Sequence, residues 1–131
     1  MDRERPPLVL VIEDEASLRD LYRDVFEGEG WRVAAVPSPG SHLGWVRIYA
    51  PEAVVLDLDF GGSSDAGIRF LRRLREDGDG ERIPVAVCSG SKGLLQRHKD
   101  EIAHLKATVL SKPFDLGDLL RAVHHPPARS A

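Results

Sequence analysis

The sequence lacks four features that would each point to a particular class of protein. Its single cysteine, Cys88, excludes an internal disulfide and is typical of a protein in the reducing cytoplasm. No apolar run approaches the roughly 20 residues of a membrane-spanning helix, and the opening MDRERPP is not a signal peptide. Lys and Arg number 18 against 21 Asp and Glu, so no excess of positive charge favours nucleic-acid binding. We therefore expect a cytoplasmic protein with no direct contact with membrane or nucleic acid.

The length and the proline pairs predict one domain between two short tails. A chain of 131 residues suits a single compact domain. Residues 1–7 are charged and end in two prolines, whereas residues 126–131 begin with two prolines and continue with small or polar residues. We expect a disordered tail at 1–7, a domain over 8–125, and a tail or linker stub at 126–131.

Short apolar runs alternate with amphipathic stretches along the domain. The run LVLVI and similar segments predict strands at 8–12, 31–36, 53–56, 83–87 and 108–110. Apolar residues at helical spacing predict helices at 15–28 and near 41–50, 66–77, 92–105 and 115–125. Asp14 and Asp115 are suitable N-caps for the first and last of these helices. Five strands alternating with five helices predict an α/β fold, a doubly wound five-stranded parallel sheet with helices on both faces.

Polar side chains follow four of the predicted strands. Ligands of such sheets bind at the carboxyl ends of the strands, so these side chains are expected to meet at one edge. Carboxylate and carbonyl oxygens are ligands that suit Mg²⁺, while a hydroxyl and an ammonium group are suitable donors to a phosphoryl group. The pattern therefore predicts Mg²⁺-assisted phosphoryl chemistry with a carboxylate nucleophile. In chain order, the residues are Glu13, Asp14, Asp57, Asp59, Ser89 and Lys112.

Four segments in this order resemble a response-regulator receiver domain, the phosphorylated module of two-component or phosphorelay signalling. They are VLVIEDE (9–15), PEAVVLD (51–57), IPVAVCSG (83–90) and LSKPF (110–114). The resemblance covers about residues 8–124 and implies a flavodoxin-like sheet with strand order 2-1-3-4-5.

The resemblance also implies a role for each acidic residue. Asp57 is similar to the family's phosphoacceptor. Glu13 and Asp14 resemble the acidic pair that holds Mg²⁺, with Asp14 a direct ligand and Glu13 acting mainly through water. The backbone carbonyl of Asp59 would complete the protein's share of the metal ligands.

Two further residues resemble those that contact the phosphoryl group. Ser89 corresponds to the hydroxyl that bonds the phosphoryl oxygens and pulls its loop inward. Lys112 corresponds to the lysine that pairs with the phosphate, and the family usually holds the following peptide bond cis, here Lys112–Pro113.

The resemblance implies partners as well. A sensor histidine kinase or a histidine phosphotransfer protein would donate the phosphoryl group, and the domain would catalyse only its own phosphorylation and dephosphorylation. The face built from the fourth helix, fifth strand and fifth helix would change on phosphorylation and bind a downstream protein or a second copy of the chain.

The sequence departs from the family's pattern at three places. The loop DLDFGGSSDAG (57–67) lacks the usual proline and carries two extra residues, which bears on the lifetime of the phosphate. Val109 stands where the fifth strand normally carries Tyr or Phe. No effector domain follows the last helix, which indicates a stand-alone regulator or a chain cut at its Pro126-Pro127 linker.

Other interpretations of these residues remain open. Asp57 could cap a turn, the Asp59 side chain could be a solvated loop acid, and the segment GGSS (61–64) could be only a flexible loop. Cys88 fits a buried apolar position better than a redox role. A receiver-like module that signals by binding alone is the main alternative function. The segment VVLDLDFGG also resembles the opening of a haloacid dehalogenase-type phosphatase, but the acidic pair comes first in this chain and little length is left for a cap.

Overall fold

A computed structural model of the chain describes residues 5–59 and 65–124. Most of the predicted N-terminal tail (1–4), the loop at 61–64 and the C-terminal segment 125–131 lie outside the described residues. The strands are β1 Leu8–Ile12, β2 Arg32–Val36, β3 Ala53–Asp57, β4 Val85–Ser89 and β5 Thr108–Ser111. The helices are α1 Ala16–Gly28, α2 Gly44–Tyr49, α3 Asp65–Glu76, α4 Lys92–Arg97, α5 Lys99–His104 and α6 Leu116–His124.

The five strands form one parallel sheet in the order β2-β1-β3-β4-β5, which confirms the predicted fold. Every residue of the three central strands β1, β3 and β4 is buried. Strands covered by helices on both faces need apolar side chains on both sides, which explains why these segments are continuous apolar runs instead of alternating ones.

The helices cover the two faces of the sheet in separate layers. Alternate residues of β1 point to opposite faces because the side-chain period of a strand is two. Leu10 and Ile12 pack in one cluster with side chains of α2, α3 and α5, while Val9 and Val11 pack in the other with side chains of α1 and α6. The sheet is therefore held between two apolar layers.

The described residues contain six helices where the sequence predicts five. The predicted helix at 92–105 is divided at His98, whose backbone (φ −104°, ψ 10°) ends α4 and begins α5. Leu94, Leu95 and Ile102 pack against the core, but the residues between Leu95 and Ile102 are all polar or charged. This stretch supplies no apolar side chain to hold one continuous helix against the core, so the division costs no apolar packing.

Three expectations about helix and strand ends are wrong. The strand predicted at 83–87 begins at Val85 and ends at Ser89. Asp14 is not the N-cap of α1, because Glu15 occupies that position and its side chain makes no capping bond. Trp31 is not part of β2: its N–H donates to the carbonyl of Phe26 at 2.9 Å, and its ring packs edge-on against Phe26. Asp115 does cap α6, since its Oδ1 accepts from the Gly117 N–H at 2.9 Å.

Within residues 5–59 and 65–124, no helix has both the length and the apolar character needed to cross a membrane.

The connection from α3 to β4 is held by a single guanidinium group. Arg75 donates from Nε to the carbonyl of Leu105 at 2.6 Å, and from Nη1 to the carbonyls of Gly80 at 3.0 Å and Ile83 at 2.7 Å. The backbone of Gly80 approaches Leu74 so closely that a Cβ atom there would lie 2.6 Å from both the Leu74 carbonyl oxygen and its Cδ1. The turn therefore needs glycine at position 80.

Gly80→Ala is expected to lower the free energy of unfolding by about 1–3 kcal/mol, the usual cost of overpacking. The added methyl group would collide with the Leu74 carbonyl, which is part of a helix and cannot move alone. Gly78→Ala in the same turn is the matched control, because a Cβ atom at position 78 would meet no atom within 4 Å beyond its chain neighbours. Urea unfolding measures both variants, and equal stability of the two would contradict the prediction.

Candidate functional site

The register of the sheet brings the predicted site residues to one edge. Ile12 pairs with Leu56, so Glu13 and Asp57 follow at the same level on neighbouring strands. Asp57 pairs with Cys88, which places Ser89 one residue further along β4. Ser89 in turn pairs with Ser111, the residue before Lys112. The carboxyl ends of β1, β3, β4 and β5 thus each deliver a polar side chain to the same place.

Lys112 lies at the centre of this edge. Its ammonium group bonds to Asp57 Oδ2, and its Nζ lies 3.4 Å from Asp59 Oδ2 and 3.9 Å from Glu13 Oε1. The peptide bond between Lys112 and Pro113 is cis, as the family resemblance implied. Burial alone would lower the pKa of Lys112, but its bond to Asp57 and the charges around it raise the pKa above its usual value. Lys112 is therefore a cation at neutral pH.

Asp57 is a buried carboxylate with both oxygens bonded. The residue is only 1% exposed. Its Oδ1 accepts from the backbone N–H of Asp59 at 2.7 Å, and its Oδ2 accepts from Lys112. A turn-capping bond is thus present, but it involves one oxygen only, and the ammonium group on the other makes Asp57 part of a charged cluster.

Glu13 is also buried, and one of its oxygens is unsatisfied. Oε2 accepts from the backbone N–H of Glu15 at 3.0 Å, whereas Oε1 has no hydrogen-bond partner among the described residues. Burial, together with the neighbouring carboxylate of Asp57, raises the pKa of Glu13 to about 8. Its carboxylate form is therefore costly in the folded protein unless another positive charge is added.

The Asp59 side chain is not the solvated loop acid considered from the sequence. Oδ1 accepts from the Ser89 hydroxyl at 2.6 Å, and Oδ2 accepts from the backbone N–H of Gly90 at 2.9 Å. Partial burial would raise the pKa of Asp59, but these bonds and the Lys112 charge lower it below its usual value. Sequence reasoning missed this contact and the Gly90 amide, because Ser89 lies 30 residues from Asp59 in the chain and Gly90 lies 31.

Asp14 stands apart from these contacts. It is exposed at the end of β1, and its side chain makes no hydrogen bond to another described residue. Its carboxylate is therefore available to a ligand from solvent, next to the buried carboxylate of Glu13.

The residues present fit a magnesium ion bound partly through water. The described part of the chain holds no group of three or more His, Cys, Asp or Glu side chains already spaced for a metal. Mg²⁺ does not need such a cage, because it usually binds one or two carboxylates, keeps several waters and bridges to a phosphate. The unsatisfied Glu13 Oε1 and the exposed Asp14 carboxylate supply acceptors of the required kind.

Cys88 and the aromatic residues have structural roles. Cys88 is fully buried, and burial raises the pKa of its thiol, which confirms the apolar interpretation. Trp31 is buried, and its indole N–H lies 3.3 Å from His124 Nε2. The two rings also pack edge-on, so His124 is held beside Trp31 at the end of α6.

Comparison with known proteins identifies the family. The model of the response regulator receiver domain matches residues 9–124, nearly the whole chain. The chain therefore belongs to the response regulator receiver domain family. This match separates it from the haloacid dehalogenase-type phosphatases.

Two curated relatives show how the chain compares in length. Sporulation initiation phosphotransferase F of Bacillus subtilis (strain 168) is 28% identical over 115 residues, which cover 88% of this chain and 89% of that protein. The KDP operon transcriptional regulatory protein KdpE of Escherichia coli (strain K12) is 35% identical over 114 residues, 85% of this chain and 47% of that protein. The chain thus spans nearly all of the first relative and about half of the second.

Solved structures share the fold. The chemotaxis protein CheY4 of Vibrio cholerae superposes with a TM-score of 0.77 at 19% identity, covering 92% of this chain and 98% of that one. The receiver domain of a sensor histidine kinase from Pseudomonas aeruginosa PAO1 superposes with a TM-score of 0.74 at 19% identity, covering 91% of this chain and 95% of that one. In that second structure, a magnesium ion is coordinated in the active-site cleft.

Glu13→Gln is expected to stabilise the protein, without added metal, by a margin that grows between about pH 4.5 and 8. In that interval the folded wild type binds the Glu13 proton more tightly than the unfolded chain does, so its stability falls as the pH rises. Glutamine has no proton to lose. The variant should therefore match the wild type below about pH 4 and exceed it by at least about 1 kcal/mol at high pH, the equivalent of one pKa unit.

Urea unfolding across this pH range, with a chelator present, measures the difference. Glu52→Gln is the control because Glu52 is exposed, and its replacement should leave the pH dependence unchanged. A Glu13→Gln margin that does not vary with pH would contradict the raised pKa.

Proposed function

We propose that the chain receives a phosphoryl group on Asp57 from a phosphohistidine of a sensor histidine kinase or histidine phosphotransfer protein. The observation that carries the proposal is the buried carboxylate of Asp57 bonded to the Lys112 ammonium group at the carboxyl edge of the sheet. A relative named as a phosphotransferase, matched over nearly its whole length, supports the same class of reaction.

The transfer exchanges one bond to phosphorus for another. An oxygen of Asp57 forms the new bond, while the bond from phosphorus to the donor imidazole nitrogen breaks. The leaving nitrogen keeps the electron pair of the broken bond, and the donor leaves as a neutral imidazole when its other ring nitrogen carries a proton. The product is an acyl phosphate on Asp57, which water later hydrolyses back to the carboxylate.

Four residues are suited to hold Mg²⁺ for this reaction. Asp14 and Asp57 would provide direct carboxylate ligands, Asp59 its backbone carbonyl, and Glu13 a bond through water. The chemistry that Mg²⁺ supplies when bound is neutralisation of the charge between the carboxylates and the phosphoryl oxygens. The magnesium ion in the structurally similar kinase receiver domain supports this assignment.

Ser89 and Lys112 are the proposed donors to the phosphoryl oxygens. Lys112 already bonds to Asp57, so its ammonium group lies where negative charge develops during the transfer. Ser89 Oγ belongs to a buried residue at the end of the neighbouring strand β4. An ammonium group held beside the nucleophile in advance stabilises the transition state with little reorganisation.

We propose that the output surface is the face formed by α4, α5, β5 and α6. It corresponds to the face predicted from the sequence, because the fourth predicted helix is divided into α4 and α5 and the fifth is α6. Val109 on β5 is 42% exposed and Leu116 on α6 is 41% exposed, so the face offers apolar area to a partner. Ser89 Oγ accepts from the Ser91 N–H at 3.0 Å, and Ser91 Oγ accepts from the Leu94 N–H at 3.1 Å. These bonds link the site to α4 through the backbone without an aromatic residue at position 109.

The remaining assignments follow from this role. We place the domain at residues 8–125 and the protein in the cytoplasm, where a histidine kinase would meet it. The chain would act on no separate substrate and would catalyse only the formation and hydrolysis of its own acyl phosphate. Its output would pass through protein contacts, including a homodimer through the α4, α5, β5 and α6 face, without direct binding of nucleic acid or membrane.

Incubation with acetyl phosphate and Mg²⁺ is expected to add one phosphoryl group to the protein, because acetyl phosphate has a good leaving group and Asp57 is the nucleophile. Intact mass measures the gain, which should disappear in Asp57→Asn and in the presence of a metal chelator. Failure to gain mass, together with failure to bind beryllofluoride and Mg²⁺, would contradict the proposal and favour a module that signals by binding alone.

Val109→Tyr is expected to strengthen self-association or partner binding that depends on phosphorylation. An aromatic ring on the exposed face of β5 adds apolar contact area and a side chain that can change rotamer with the site. Analytical ultracentrifugation with and without beryllofluoride measures the effect. Val109→Tyr combined with Asp57→Asn is the control, and an unchanged dependence on beryllofluoride would count against the proposed face.

A further inference from the structure

The carboxylate of Asp59 is bound by three donors from two other strands. The Ser89 hydroxyl donates to Oδ1 at 2.6 Å, the Gly90 N–H donates to Oδ2 at 2.9 Å, and Lys112 Nζ lies 3.4 Å from Oδ2. An anion of the protein itself therefore occupies the hydroxyl and the amide at the end of β4.

These donors cannot serve two anions at the same time. A serine hydroxyl and a backbone amide each carry one proton and donate one strong hydrogen bond. Under the proposed function, the Ser89 hydroxyl and the Lys112 ammonium group are needed by the phosphoryl oxygens on Asp57. While Asp59 holds Ser89, that donor is unavailable to a phosphoryl group.

We propose that the Asp59 carboxylate is an internal competitor of the phosphoryl group, which must displace it from Ser89 and Gly90 before it can be bound there. The inference rests on the proposed function and deepens it by naming a residue that regulates the site. Asp59 acts here as a positioning residue, since it holds Ser89 and does not take part in bond formation.

The geometry permits Asp59 to be displaced without movement of its own backbone. The Asp59 N–H donates to Asp57 Oδ1 at 2.7 Å, so the main chain of Asp59 is anchored beside the phosphoacceptor. Its side chain is 33% exposed, so rotation about the side-chain bonds can transfer the carboxylate to water. A carboxylate that is hydrated after release does not incur the cost of a buried unpaired charge.

The displacement of Asp59 would also change the contacts at the start of α4. Ser89 Oγ accepts from the Ser91 N–H while it donates to Asp59, and Ser91 caps α4. When Ser89 turns from Asp59 to a phosphoryl oxygen, the Ser91 amide must follow or lose its bond. Asp59 therefore holds the loop at 89–91 in the arrangement of the unphosphorylated protein.

The test measures binding of beryllofluoride, a stand-in for the phosphoryl group, in the presence of Mg²⁺. Isothermal titration calorimetry compares the wild type with Asp59→Asn and Asp59→Ala. Both variants are expected to bind about tenfold more tightly, the change that corresponds to one charge-assisted hydrogen bond. Asp65→Asn removes the same charge from the exposed start of α3 and should bind like the wild type.

A second comparison separates competition for Ser89 from simple repulsion between charges. In a Ser89→Ala background, competition for the hydroxyl is gone, so the gain from Asp59→Asn should shrink to about threefold or less. A gain that stays tenfold in this background would mean that Asp59 does not act through the Ser89 hydroxyl, and would overturn the inference.

The Gly90 amide provides a readout that needs no ligand. Its proton resonance in the wild type should lie downfield because it donates to a carboxylate, and it should move upfield in Asp59→Ala without beryllofluoride. An unchanged Gly90 resonance would overturn the inference.

The outcomes distinguish this inference from the proposed function. If the wild type and both Asp59 variants bind beryllofluoride equally, the inference fails and the proposed function stands. If no variant binds beryllofluoride or gains a phosphoryl group, the proposed function fails and the inference with it. Binding by the Asp59 variants alone would support both.

Discussion

The ammonium group of Lys112 lies among three carboxyl groups at the ends of two neighbouring strands, and the site depends on this interaction. Buried carboxylates cost free energy unless a cation and hydrogen bonds accompany them. Glu13 and Asp57 are both almost fully buried, and Lys112 Nζ reaches both as well as Asp59. Because Lys112 follows β5 while the carboxylates follow β1 and β3, one side chain joins the carboxyl ends of three strands.

This arrangement leaves the site short of positive charge. One ammonium group faces three carboxyl groups, and burial together with the neighbouring Asp57 raises the pKa of Glu13. A divalent cation beside Glu13 and Asp14 would relieve this repulsion, and a phosphoryl group on Asp57 would then compete with Asp59 for the remaining donors. Under the proposed function, metal binding, phosphorylation and the position of the loop at 89–91 would be coupled through these contacts.

The sequence is informative where a feature depends on neighbouring residues. The central strands can be predicted from the sequence because a strand buried on both faces must be an apolar run, as LVLVI at 8–12 shows. The edge of the sheet that carries the site follows directly from the strand order. The Asp59 contact with Ser89 was not predictable, because it joins segments that are distant in the chain. The bond from the Trp31 N–H to the end of α1 could not be predicted either, because the pattern at 31–36 is equally typical of a strand that includes Trp31.

The central claim is that Asp57, and not the neighbouring Asp59 or Ser89, forms the covalent bond to phosphorus. Reduction of the phosphorylated protein with borohydride converts an aspartyl phosphate to homoserine, and peptide sequencing by mass spectrometry then locates the modified residue. The account predicts homoserine at position 57 alone. Reduction at Asp59, or a phosphate on Ser89 that resists borohydride, would contradict it.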